Sequence, residues 1–266
     1  MSGQVRLEPL ELNGERAARL VLDAPGRGNS VDAVMLEQLE QHLLGLDTDP
    51  AGGVRVVLLE GAGERSFSTG YHVPSLVAEL AQGPSVSDFE GHPLERALRA
   101  LDAVPVPTIA VVGGNAYGAG CELALTCDVR VASESARLCM PPAKLGVLYS
   151  ATGIRRLLEL VGPAHTKELL YTGAAIGAER ALAIGLLNRV VPPGELAQAA
   201  ADLAGRIAAN APLSLRHTKA IVARLRPPAL DAETLAWVAA LRDECFRSEE
   251  FARRSRALAA KGKPAS

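Results

Sequence analysis

Aromatic side chains are scarce in this 266-residue chain: four Phe, four Tyr and one Trp, 3% of the total. The core must therefore be built from Ala, Val, Leu and Ile. A surplus of basic charge is missing as well. Twenty-eight Lys and Arg face thirty Asp and Glu, leaving a formal charge of −2. That balance excludes the broad cationic footprint that nucleic acid demands and the polybasic patch that holds a protein on an anionic membrane. Cysteine is sparse too. Residues Cys121, Cys127, Cys139 and Cys245 are too few in a chain this long for a disulfide framework. Cys121 and Cys127 lack metal-finger spacing, so no metal site is expected. The opening MSGQVRLEPLELNG has no basic-then-apolar signal pattern, and a reduced, cytoplasmic protein is expected.

Long apolar runs are also lacking. The longest uncharged stretch, Ala103 to Cys121, spans nineteen residues and holds two Pro and four Gly. It reads as strand, turn and helix start, not as a membrane span. The patterns GxSxG, HExxH and GxxxxGK[ST] do not occur, which removes the common hydrolase, zinc-protease and P-loop chemistries. Gly61-x-Gly63 meets Ser66, and Gly118-x-Gly120 meets Leu123, where a dinucleotide fingerprint needs a third Gly.

What is present is an ordinary globular composition, 48% hydrophobic and 22% charged, with 25 Gly. Residues 5–23 alternate as two strands about the turn Asn13-Gly14. Helical spacing follows over 32–45, with Val34, Leu36, Leu39 and Leu43 as its apolar face. Val54–Leu59, Thr108–Val112 and Val129–Ala132 read as buried strands. The first runs into a glycine loop from Gly61 to Gly70, the second into one from Gly113 to Gly120. A helix opens near Gly120 and carries Glu122 in its first turn. Beyond residue 153 the pattern is helical: 153–161, 163–171, 178–184, 195–209, 213–225, 231–247 and 249–261. A soft boundary at Pro192-Pro193-Gly194 divides a core, 1–194, from a helical region, 195–266, whose Leu196, Leu203 and Ile207 are expected to serve self-assembly.

A glycine turn leading into a helix exposes backbone N–H groups, because the first helical turn has no internal acceptors. Two such turns facing each other form a two-donor oxyanion hole. Spacing alone is equally compatible with glycine turns that merely connect elements, and with an early-turn Glu that merely complements the helix dipole.

The run GGNAYGAGCELALTCDVRVAS resembles the signature of the crotonase (enoyl-CoA hydratase/isomerase) superfamily, and FSTGYH resembles its first oxyanion-hole segment. PGRGNSVD, LGVLYSATGIRRL, ELLYTGAAIGAERALAIGLLNRVV and SEEFARRSRALAAKGKP extend the likeness over nearly the whole chain. The resemblance implies an α/β fold, a spiral of ββα units with a helical C-terminal region that makes trimers or dimers of trimers. It implies an acyl-CoA thioester as substrate, with coenzyme A entering only as part of it and no resident cofactor. The thioester oxygen would be held by the N–H groups of Tyr71 and Ala119. Coenzyme A would run along Arg27, Ser68, Thr69, Gly70 and Gly118, with Lys261 reaching its nucleotide end.

The pattern departs in two places. Family hydratases pair Glu122 with a second glutamate twenty residues on; here that position is Pro142, and the nearest ionisable neighbour in sequence is Lys144. Tyr71-His72 stands where many hydratases have a small residue and Asp. The block MPPAKLGVLYSATGI is similar to the methylmalonyl-CoA decarboxylase branch, which shares the Pro and a Tyr at Tyr149. That likeness implies decarboxylation of a malonyl-type thioester, with Tyr149 orienting the departing carboxylate and Tyr71 or His72 assisting. Hydration with Glu122 as the carboxylate is the other lyase reading. A non-catalytic acyl-CoA binder, and a partner-binding role for the C-terminal helices, remain as alternatives of another class.

Overall fold

The computed structural model describes residues 3–75, 91–227 and 230–261. A hairpin opens it: β1 (Gln4–Leu12) and β2 (Glu15–Asp23) pair antiparallel from Gln4–Asp23 to Leu12–Glu15. Asn13 and Gly14, with φ of 55° and 83°, supply the two positive-φ positions of the turn. Helix α1 (Ala33–Leu44) is capped by Asp32, whose carboxylate accepts from the Met35 N–H. Its buried face is Met35, Leu36, Leu39 and Leu43, whereas Val34 points to solvent, one residue out of phase with the expected stripe.

Three strand pairs then repeat one pattern. Strands β3 (Val57–Gly61), β5 (Thr108–Val112) and β7 (Val129–Ser133) each add in parallel to a six-stranded sheet ordered β1-β2-β3-β5-β7-β10. Strands β4 (Ser66–Ser68), β6 (Asn115–Tyr117) and β8 (Arg137–Cys139) follow them into a second sheet, ordered β4-β6-β8-β9. Helices α2 (Pro93–Ala103), α3 (Ala119–Thr126) and α4 (Pro142–Leu145) complete the repeats. This is the spiral of ββα units that the resemblance implied. Strands β4 and β6 lie where the sequence reads as glycine loop, and β8 lies where it reads as no element, since three residues are too few to show a period of two.

Helix α5 runs from Ala151 to Thr172 and breaks at Gly162 (φ 72°, ψ 174°), just before Pro163. Strand β9 (Ile176–Gly177), helix α6 (Ala178–Ala183) and β10 (Arg189–Val191) lead to α7 (Leu196–Ala208), α8 (Pro212–Leu225), α9 (Ala232–Arg247) and α10 (Glu249–Lys261). Ala200, Ala204 and Ala208 recur every fourth residue on α7 and pack against Ala17, Val56, Leu58, Ile109, Val111 and Val131 of the first sheet. Leu196, Leu203 and Ile207 join the same cluster. They are partly buried against the sheet of their own chain. The main core, between the two sheets and α1, α2 and α3, is aliphatic; Phe67 is the aromatic side chain fully buried among the described residues.

Candidate active site

Parallel pairing in the second sheet sets the site. Ser68 of β4 lies beside Ala116 of β6, so the residues just beyond each strand, Gly70-Tyr71 and Gly118-Ala119, emerge side by side. Ligand sites form at such C-terminal strand ends because parallel strands aim successive loops at one edge. Gly70 has φ 99° and Gly118 has φ 52°, a region that side chains other than Gly rarely enter. Space points the same way. A Cβ on Gly70 would sit 2.7 Å from the Tyr117 carbonyl oxygen and 3.5 Å from the Ala119 nitrogen.

The two N–H groups assigned from the resemblance are brought together. Val31 bridges to Tyr71, donating to the Gly70 carbonyl at 2.9 Å, while the His72 N–H donates to the Val31 carbonyl at 2.7 Å. Strand geometry therefore turns the Tyr71 N–H away from Val31. Ala119 opens α3 behind its N-cap Gly118, where backbone N–H groups have no helical acceptor. Ser68 is fully buried, and its hydroxyl accepts from the Gly70 N–H at 3.2 Å, so it braces the loop from beneath.

Glu122 stands one turn into α3, a helix buried along its whole length, and is 2% exposed. Its Oε1 presses against Gly153 near the start of α5, where any side chain would collide with the carboxyl. Arg156 of α5 approaches to 3.8 Å, and neither Glu122 Oε1 nor Arg156 Nη1 has a hydrogen-bond partner among the described residues. Burial is the main force that pushes the Glu122 carboxyl up to about 7; Glu95 adds to it, while Arg156 and Arg242 pull the other way. Tyr149 reaches the same space, its hydroxyl 3.5 Å from where a Cβ on Gly118 would stand. Burial, reinforced by Glu122, raises that phenol well above 10, so it is a neutral donor near pH 7.

His72 is placed differently. Its Nδ1 pairs with Ser75 Oγ at 2.9 Å, and burial followed by the nearby Arg27 lowers its pKa. It belongs to the Arg27 and Asp32 group, apart from Glu122 and Tyr149. Arg27 itself donates to Asp32 at 2.6 Å and to the Met35 sulfur at 3.2 Å. The 25–29 loop is strapped to Thr69 by the Thr69 N–H on the Gly28 carbonyl and the Thr69 hydroxyl on the Arg27 carbonyl. Thr69 is exposed at this edge. Lys261 ends α10, and its side chain lies outside the described residues, as do residues 76–90. Pro142 begins α4 and is buried, so no acid stands at that position.

Five residues joined to this cluster were not singled out from the sequence: Ser150, Thr152 and Arg156, which lie within LGVLYSATGIRRL, and Glu95 and Arg242, which lie in no quoted motif. Only Glu95 had a usable signal, since it lies three residues before Leu98 on the apolar face of α2, where an acid is out of place. Among the described residues no cluster of His, Cys, Asp or Glu suits a metal ion, and no helix is long and apolar enough to cross a membrane.

A spiral of ββα units with two glycine-flanked turns at the strand ends and a buried carboxyl in the helix that follows is the architecture of one enzyme family. The enoyl-CoA hydratase/isomerase family model matches residues 14–265, and the chain belongs to that family. It is 33% identical over 245 residues to the short-chain-enoyl-CoA hydratase of Clostridium acetobutylicum, covering 91% of this chain and 90% of that one. It is 35% identical over 210 residues to the crotonyl-CoA hydratase of Syntrophomonas wolfei, covering 77% of each. Among solved structures, methylmalonyl-CoA decarboxylase complexed with 2S-carboxypropyl-CoA superposes with a TM-score of 0.85 at 26% identity, covering 100% of this chain and 98% of that one.

Proposed function

We propose that this enzyme is an acyl-CoA thioester lyase that adds water to, or removes it from, an enoyl thioester, with Glu122 as its single working carboxyl. The observation that supports this is a buried Glu122, held up to about 7, in the first turn of the helix that Ala119 opens next to the Gly70-Tyr71 turn. In hydration, Glu122 takes a proton from water as the water oxygen bonds to C3. The π electrons move to the thioester oxygen, which accepts hydrogen bonds from the two N–H groups. Glu122 then returns that proton to C2. A carboxyl near neutrality serves both directions, which suits a site whose second glutamate position is Pro142. The relatives named as hydratases support the reading. Loss of enoyl-thioester absorbance with crotonyl-CoA tests it; no turnover beside tight thioester binding would favour a non-catalytic binder.

A second reading has its own observation. The Tyr149 hydroxyl faces Gly118 at the oxyanion edge, which suits a donor that turns a carboxylate out of the thioester plane. Decarboxylation would break that C–C bond, release CO2 and leave the same enolate on the same donors, with no water to activate. The likeness to methylmalonyl-CoA decarboxylase supports it, and CO2 release from methylmalonyl-CoA tests it.

Neither reaction uses a resident cofactor. The coenzyme A moiety would pass along Thr69, Gly70 and Gly118, with Arg27 and Lys261 toward its anionic end. The same reading includes a homotrimer or dimer of trimers. It is supported by Leu213, Ile221, Val222, Leu225 and Trp237, large apolar side chains exposed on α8 and α9. It places the enzyme in the cytoplasm, where the buried thiols Cys121, Cys127 and Cys139 stay reduced.

A further inference from the structure

Pro142 leaves one carboxyl beside the oxyanion donors, but a second buried one stands close by. Glu95, in the first turn of α2, is 5% exposed. Its Oε2 accepts from the Thr152 hydroxyl at 3.0 Å, and Thr152 Oγ1 lies 2.9 Å from Ser150 Oγ. Ser150 caps α5 by accepting from the Gly153 N–H at 3.0 Å. Glu122 Oε1 and Ser150 Oγ both lie against Gly153. Residues distant in sequence thus form one row: Glu95, Thr152, Ser150, Gly153, Glu122.

Two features separate this from an ordinary helix-start acid. Such an acid complements the helix dipole from the surface and gains nothing from burial beside another acid. Glu95 Oε1 is buried and has no hydrogen-bond partner among the described residues, like Glu122 Oε1. Glu95 also borders a cavity of about 230 Å³, lined further by Arg99, Ser150, Thr152, Arg242 and Leu235. At roughly 30 Å³ per molecule that space admits several waters.

We propose that Glu95 is the second carboxylate of this site, a positioning residue packed near Glu122 through the Ser150–Thr152 turn and Gly153 that biases the charge of Glu122. The inference rests on Glu122 as the working acid–base group. Glu95 touches no reacting atom; it acts by making ionisation of Glu122 costlier, as a like charge does in a medium of low dielectric. The other groups facing Glu122 are Arg156 of α5 and Arg242 of α9, which oppose this, and Tyr149 and Cys121, which are neutral near pH 7. Arg242 is 6% exposed and anchored by its Nε to the Leu148 carbonyl.

Glu95→Gln removes the charge and keeps the shape. In the pH dependence of kcat/KM for crotonyl-CoA, the limb belonging to Glu122 then moves down by about one unit, while Glu95→Asp leaves it near its original place. An unmoved limb in Glu95→Gln overturns the proposal. Should that variant not fold, Thr152→Val releases Glu95 from its anchor and moves the limb the same way by less; no movement again overturns it. An infrared titration, wild type minus Glu122→Gln, reads the Glu122 carboxyl without turnover. A midpoint that falls in Glu95→Gln, in a protein that turns over no thioester, leaves the coupling standing and removes the functional reading. Turnover with an unmoved midpoint does the reverse.

Discussion

Arg156 Nη1 stands 3.8 Å from Glu122 Oε1, near enough to bias the charge of that carboxyl and too far to donate a hydrogen bond to it. Both atoms are buried without a hydrogen-bond partner among the described residues. A closed, well-bonded ion pair would hold Glu122 permanently ionised; this open one leaves burial in control, so the carboxyl rises to about 7. On the proposed reading, that gap is why Glu122 suits proton transfer in both directions.

That raised value has a stability consequence of defined sign. The ordinary value is 4.5 and the folded one about 7. Between them the folded state keeps a proton that the unfolded chain has released, so stability falls as pH rises through this window and levels off above it. Glu122→Gln removes the effect. Chemical denaturation at pH 8 is expected to show this variant more stable than wild type by roughly 1–3 kcal/mol, and at pH 4.5 nearly equal to it.

Gly153 leaves room for the Glu122 carboxyl. Ala is the better helix former by about 1 kcal/mol, yet its Cβ would collide with Oε1. Gly153→Ala is expected to fold and, with Glu122 as the proposed working carboxyl, to lose at least about tenfold in kcat by displacing it. Steady-state kinetics with a thermal melt separate the two effects.

Gly70→Ala combines a φ of 99° with a Cβ placed 2.7 Å from the Tyr117 carbonyl oxygen. The loop must move, and the Tyr71 N–H moves with it. Loss of one oxyanion donor costs about 3 kcal/mol of transition-state stabilisation, so kcat is expected to drop by about a hundredfold or more while thioester binding, read by calorimetry, changes far less.

Tyr149→Phe divides the two chemistries. If water addition is the reaction, the phenol is a neighbour of the donors, and crotonyl-CoA turnover stays within a few-fold of wild type. If a malonyl-type thioester is decarboxylated, losing the hydroxyl removes what orients the carboxylate, and CO2 release falls by about a hundredfold.

Assembly is tested by light scattering across a size-exclusion peak. Leu213, Ile221, Val222 and Leu225 are all more than half exposed on α8, and three or six chains per particle are expected. Ile221→Asp is expected to shift the peak toward the monomer; a wild-type monomer would contradict the trimer.

The central strands β3, β5 and β7 were legible because they are mostly apolar runs, the hairpin β1–β2 because it alternates about Asn13-Gly14, and the two donor turns because Gly70 and Gly118 lie in glycine loops that follow β3 and β5. Strands β4, β6 and β8 were not, each being three residues whose partner is fixed by the spiral and not by local pattern. In the same way Glu122 had a motif, whereas Glu95, Ser150, Thr152, Arg156 and Arg242 reach it from three other elements. Leu196, Leu203 and Ile207 carry a helical stripe, but a stripe does not say whether it meets its own sheet or a second copy. Pro142 showed only that a carboxyl was missing, not that Glu95 lies across the turn.

Hydration of crotonyl-CoA by wild type and Glu122→Gln, followed as loss of enoyl-thioester absorbance, tests the central claim most directly. The expected result is turnover by wild type and a fall of about a hundredfold or more in kcat for the variant, with KM little changed. Turnover by Glu122→Gln at close to the wild-type rate would contradict Glu122 as the working carboxyl.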